Sequence, residues 1–165
     1  MLVGYDKILE LCTAFVEDNI TSDFENINLG LDFYCYPNTK EIFISVLAIP
    51  TAIDGFMKNL LDRTDINDIS NFTWSFLHEV GHCMTWSHLN ERTINHCRNI
   101  KRKINRGSIE PTVYYTLADE KMATDWALNF VKKNHRLVQR FDVNILTEIT
   151  NFYLENEVEI EEIEG

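Results

Sequence analysis

Two periods of apolar residues divide the chain. Tyr5, Ile8, Leu9, Cys12, Phe15 and Val16 recur at intervals of three and four, which predicts an opening helix. Leu31, Phe33 and Cys35 then alternate with Asp32, Tyr34 and Tyr36, and after Pro37-Asn38-Thr39-Lys40 the alternation returns at Ile42, Ile44 and Val46. Period two on both sides of a turn predicts an antiparallel hairpin. Pro50 is expected to stop the second strand, and Ile53, Phe56, Met57, Leu60 and Leu61 predict a short helix. The polar segment from Asp65 to Asp68 offers an N-cap for the helix after it. That helix carries the strongest stripe, Ile69, Phe72, Thr73, Phe76, Leu77, Val80 and Met84, so it is expected to be buried along much of its length.

Three more helices are predicted. One spans about 89–105, with Ile94, Cys97, Ile100 and Ile104 on its apolar side. The next holds Leu117, Ala118, Met122, Ala123, Trp126, Ala127 and Phe130, with Pro111 placed near its start, and the last holds Ile145, Leu146, Ile149, Phe152 and Tyr153. With no repeat or linker, the expected fold is α+β: one domain over 1–165, in which a small antiparallel sheet packs with about five helices.

Charge changes this picture in three places. A formal net charge of −11 excludes general nucleic-acid binding, which needs positive charge to displace counterions, and would attract basic partners. No Lys or Arg follows Arg140, and the glutamates from Glu155 to Glu164 read as a solvated acidic tail. Arg92, Arg98, Lys101, Arg102, Lys103 and Arg106 read as the wet face of an amphipathic helix rather than a nucleic-acid site. No apolar run approaches the roughly 20 residues of a membrane span, and the first residues carry no secretion-signal pattern. Cys12, Cys35, Cys83 and Cys97 form no CxxC pair and read as reduced thiols, so a cytoplasmic location is expected.

The candidate chemistry lies in His78-Glu79-Val80-Gly81-His82. On a helix, residues four apart project from one face about 40° apart, so both imidazoles can hold one zinc ion. Glu79 can overhang the ion without ligating it and take a proton from water that the metal activates. Gly81 inside a helix costs about 1 kcal/mol relative to Ala, which calls for a packing or close-approach reason. Histidines at this spacing also occur as structural residues, but the predicted helix and its apolar opposite face favour the metal.

A catalytic zinc usually takes a third protein ligand and keeps one position open. His88 has the spacing of the metzincin motif HExxHxxGxxH, but Thr85 stands where that motif turns on Gly. On a straight helix His88 would point about 120° away from His82 and lie about 9 Å further along. The other candidate is Glu120, on a separate helix where the small Ala123, one turn on, would let two helices approach. Tyr114, Tyr115, His88, His96 and His135 are candidate oxyanion donors, and Asp119, Thr124 and Asp125 are candidate partners for a ligand imidazole. Cys83 reads as core.

Phe72-Thr73, then His78-Glu79-Val80-Gly81-His82, then Glu120-x-x-Ala123-x-x-Trp126-Ala127 resembles the ImmA/IrrE family of metallopeptidases over residues 30–130. The resemblance implies a zincin-like arrangement, His78, His82 and Glu120 as zinc ligands and Glu79 as the catalytic base. It also implies a zinc-dependent endopeptidase whose substrate is a protein, such as a basic DNA-binding repressor of a phage or mobile element. Ile42 to Leu47 is expected to be the sheet edge that receives an extended substrate by strand addition. The alternative is a non-catalytic zinc-binding regulator that acts by binding a partner.

Overall fold

The protein is described by a computed structural model over residues 4–24, 26–46 and 50–164, apart from the side chains of 50–55 and 157–164. Among these residues the order is α1 (Tyr5–Asn19), β1 (Asn26–Leu29), β2 (Tyr34–Tyr36), β3 (Glu41–Ile44), α2 (Pro50–Leu61), α3 (Asn71–Thr85), α4 (Glu91–Asn105), α5 (Ala118–Lys133) and α6 (His135–Glu164). Single 3-10 segments cover Trp86–His88 and Pro111–Thr116. The class is α+β, with six α-helices among the described residues, close to the number that the periodicity predicts. None of the described helices is long and apolar enough to cross a membrane.

The sheet differs from expectation. β2 and β3 form the predicted hairpin, with Cys35 opposite Ile42. β1, which the alternation did not reveal, pairs parallel on the other side of β3, with Ile27 also opposite Ile42. The sheet is therefore mixed rather than antiparallel, in the order β1-β3-β2. Ile42 to Leu47 is not an edge: β3 is the central strand, and Leu47 lies outside the described residues. The reason is apolar area on one face, where Ile27 extends the buried surface of Ile42 and Ile44. On the opposite face Tyr34 stacks on Phe43 at 4.3 Å in direct register. Among the described residues β2 is left with an unpaired edge.

α3 is the most enclosed helix. Trp74, Phe76, Leu77 and Val80 have no exposed surface, because the helix is covered by α5, α2 and the sheet. Phe76 meets Phe141 of α6, which also packs on Phe15 of α1, so one aromatic chain joins three helices. The buried stripe of α6, Val138, Phe141, Ile145 and Phe152, starts well before the predicted Ile145. The acidic residues from Glu155 ride on its last turns rather than on a separate tail.

Ser70, not the segment from Asp65 to Asp68, caps α3: its side chain accepts from the Thr73 N–H. Asp68 instead accepts from Gln139 and pairs with His135 at 2.8 Å, at the start of α6. Buried Asp142 of α6 accepts from the Ser70 N–H at 3.3 Å and from both the Ser70 and Thr73 hydroxyls. A carboxylate at a helix N-terminus is favoured by the free N–H groups and the helix dipole. Hydrogen bonds to a charged group contribute about 1.5–3 kcal/mol net. Asp142→Ala is therefore expected to lower stability by about 2–4 kcal/mol, with Asp142→Asn losing less, in urea denaturation followed by circular dichroism. An unchanged midpoint for the alanine variant would show that the Ser70 cap holds α3 alone.

Candidate metal centre

His78 and His82 leave the same face of α3, with ring centroids 4.7 Å apart. Glu120 comes from the first turn of α5, where the helix dipole favours a carboxylate and its own N–H is held by Asp119 Oδ1 at 2.8 Å. Its Oε2 lies 2.8 Å from His78 Nε2 and 3.0 Å from His82 Nε2. One ligand atom from each of the three side chains lies within 4.8 Å of the others, and all three residues are buried.

Gly81 is what lets α5 come this close. A Cβ at position 81 would sit 2.5 Å from the Ala123 carbonyl oxygen and 3.1 Å from its Cα. Both small residues lie at the crossing: Ala123 has no exposed surface, and the two backbones are in contact there. The crossing also brings Thr124 Oγ1 to 3.1 Å from His78 Nδ1, fixing that ring through its far nitrogen. Phe56 of α2 stands edge-on to the same ring at 4.8 Å.

The donor set fits a divalent zinc ion. Two imidazoles and one carboxylate are a known zinc set, and tetrahedral bonds of about 2.0–2.1 Å put ligand atoms roughly 3.4 Å apart. The two separations from Glu120 Oε2, 2.8 and 3.0 Å, need to open only slightly. With Thr124 accepting from the His78 Nδ1–H, Nε2 carries a lone pair that faces a carboxylate lone pair at 2.8 Å, an arrangement that a metal cation or a proton on Nε2 relieves. With the opposite tautomer the Nε2–H donates to Glu120, and the cluster is satisfied without an ion.

Glu120 is 2% exposed. Burial by itself raises its pKa, but the His82 and His78 charges and hydrogen bonds outweigh it and hold the carboxyl well below the usual range. Burial likewise pulls His82 down, but the Glu120 charge and hydrogen bond raise it to about 9. Lys101 of α4 supplies the remaining cation: its Nζ is 2.6 Å from Asp119 Oδ2 and 2.7 Å from Glu120 Oε1, and 5.0 Å from the Tyr114 ring centroid. Burial lowers the Lys101 pKa, but the Glu120 and Asp119 carboxylates raise it overall.

The cluster opens into a cleft of about 300 Å³ between β2 and α4, lined by Glu79, His82, Glu120, Lys101, Arg98, Tyr114 and residues 33–37. Glu79 is half-buried on the cleft wall. Its carboxylate lies against the Cys35 thiol, whose pKa is pushed up by contact with Cys83, by burial and by the Glu79 charge. Burial and the Glu120 charge raise the Tyr114 phenol, so it stays protonated. A larger depression of about 940 Å³ at the start of α6 contains none of these groups.

The other sequence candidates fall outside the cluster. His88 is exposed on the Trp86–His88 turn and His96 is exposed on α4. His135 pairs with Asp68, and Asp125 pairs with Arg63. Asp119 braces Lys101 and Glu120 rather than a histidine, and Tyr115 does not line the cleft. Lys101 was hidden in the stretch read as a wet helix face. Its signal was present: Ile94, Cys97, Lys101 and Ile104 follow one another at three, four and three residues, so this lysine occupies a position in the inward stripe. No protein-family model, curated protein or solved structure matches the chain.

Two outcomes follow from this geometry. Gly81→Ala gains about 1 kcal/mol of helix propensity but overpacks against backbone, which costs 1–3 kcal/mol or more. A net loss of up to about 2 kcal/mol is expected, with zinc affinity reduced more than tenfold because α5 carries Glu120 away. Undiminished zinc affinity, measured by chelator competition, would count against the crossing as the determinant of the site. In metal-free protein, the raised His82 pKa gives a stabilisation complete below pH 6.5 and lost as pH rises through about 9. Zinc needs the neutral ring, so binding at pH 7 should release about one proton and strengthen towards pH 9. Calorimetry in two buffers of different ionisation enthalpy reads this directly, and no release would mean that His82 is already neutral.

Proposed function

We propose that this protein is a zinc-dependent endopeptidase of ImmA/IrrE-like, zincin type, acting in the cytoplasm on an extended segment of a protein substrate. The observation that supports this most is the convergence of His78 Nε2, His82 Nε2 and Glu120 Oε2, with Glu79 from the same helix on the wall of the adjoining cleft. Zinc held by His78, His82 and Glu120 would supply Lewis acidity and make water a stronger acid. The residues of the chain supply the rest. Glu79 takes the proton of the attacking water and passes it to the leaving amine. Tyr114, protonated and in the cleft, donates to the oxygen on which negative charge develops. Thr124 and Lys101 hold His78 and Glu120 in register.

β2 supports the substrate assignment. It borders the cleft and, among the described residues, is the outer strand of the sheet, so an extended peptide can add as a strand beside Glu79. The resemblance of His78–His82 and Glu120–Ala127 to the ImmA/IrrE motifs extends the proposal to a repressor of a phage or mobile element as substrate. The four free cysteines are compatible with a reducing compartment.

Protein purified without added zinc should carry about one zinc per chain, removed by His78→Ala, His82→Ala or Glu120→Ala but not by His88→Ala. Glu79→Gln should keep the zinc and lose about 10²–10⁴ in kcat on a peptide or protein substrate. Unchanged turnover would remove Glu79 as the base. Zinc retained by a wild-type protein that cleaves nothing would instead favour a non-catalytic regulator.

A further inference from the structure

The cleft has one wall whose charge runs against that of the whole chain. Arg98 and Lys101 stand three residues apart on α4 and line the same cleft as Glu79, His82 and Glu120. Their situations differ. Lys101 is three-quarters covered and committed to Asp119 and Glu120 at 2.6 and 2.7 Å. Arg98 is exposed, reaches the cleft, and makes no ion pair among the described residues. The residues one turn away from it on α4 are Ile94, Asn95, Lys101 and Arg102, so no acidic neighbour on its own helix competes for it. The Glu79, Asp119 and Glu120 carboxylates face the cleft from α3 and α5, but Lys101 stands between Arg98's helix and the latter two. A guanidinium offers a planar fork of donors that matches a carboxylate with two parallel hydrogen bonds.

We propose that Arg98 is a specificity-determining residue of this cleft and selects substrates that carry a carboxylate beside the scissile bond, either an Asp or Glu side chain or a free C-terminus. This rests on the peptidase reading of the same site. Lys101 braces the position by holding the neighbouring carboxylates, which leaves Arg98 as the available cation. The overall charge of −11 attracts a basic protein at long range, whereas the wall next to the metal centre selects an acidic residue within it.

The test uses zinc-loaded, full-length protein and a peptide library of mixed sequence, with cleavage sites read by mass spectrometry. Wild type is expected to enrich Asp and Glu at one position within three residues of the cut. Arg98→Ala should lose about tenfold in kcat/KM for those peptides through KM, with kcat little changed, and Arg98→Glu should invert the preference towards Lys and Arg. Matched peptides ending in a free acid or an amide distinguish a terminal carboxylate from a side-chain one. A second arm measures binding of fluorescent Glu, Gln and Lys decapeptides to zinc-loaded Glu79→Gln, with and without Arg98→Ala. Cleavage with no acidic preference, or with a preference that Arg98→Glu leaves intact, overturns the inference and leaves the peptidase standing. Charge-dependent binding through Arg98 without cleavage of any peptide by wild type overturns the peptidase reading and leaves the carboxylate subsite standing. Neither cleavage nor charge-dependent binding overturns both. Melting curves of the Arg98 variants, expected to match wild type for an exposed residue, exclude unfolding as the cause.

Discussion

Where α3 crosses α5, Gly81 faces the backbone of Ala123 with no space for a Cβ between them. Everything in the candidate site hangs on that contact. Glu120 lies one turn before Ala123 and Thr124 one residue after it, so the approach that brings the backbones together also brings a carboxylate to both imidazoles and a hydroxyl to His78 Nδ1. A Cβ at position 81 would have to push the Ala123 backbone, and α5 with it, away from α3. The enclosure of α3 supplies the rigidity: its apolar sides are covered, its N-terminus is held by Asp142 of α6, and its last turn is tied by the Thr85 hydroxyl bonding the Gly81 carbonyl at 2.8 Å.

Three ionisable groups share a space that excludes most water, and their charges are arranged to be mutually necessary. Glu120 is buried with two imidazoles on one oxygen and Lys101 on the other. An uncompensated carboxylate there would be costly; Lys101 is shared with Asp119, and a protonated histidine or a metal completes the balance. The raised His82 pKa is the metal-free form of that balance. Because Lys101, itself anchored on Asp119, donates to the second oxygen, the carboxylate keeps its orientation when the occupant of the first changes.

The cleft takes its shape from elements distant in sequence. β2 forms one side, and its unpaired edge follows from β1 having taken the other side of β3. α4 forms the opposite side and presents Arg98 and Lys101 inward, while most of its remaining basic residues face solvent. The α4 side of the cleft is thus basic, while Glu79, Asp119 and Glu120 bring carboxylates to it from α3 and α5.

The sequence by itself determined the helices, the hairpin and half of the candidate site. A strong 3.6-residue stripe identified α3, and on any helix His78, Glu79 and His82 must share one side, so their relation needed no tertiary information. The cost of glycine in a helix interior called for a packing or close-approach reason at Gly81, and the small Ala123 suggested an approach beside Glu120, but not that the two face each other. The hairpin was legible because alternation on both sides of Pro37–Lys40 is a local signal. What only the tertiary structure decided involves pairings across long sequence separations. β1 has four residues, too few for a period to register, and its parallel partner lies beyond another strand, so the central place of β3 was not encoded locally. Ser70 caps α3 locally, but the carboxylate that joins it there, Asp142, lies 72 residues away. The choice between His88 and Glu120 turned on whether α5 could reach α3, which is a matter of packing rather than spacing. Lys101 and Arg98 looked like ordinary solvent-facing charges, because the pattern along one helix records which side is apolar but not which carboxylates another helix will bring to it.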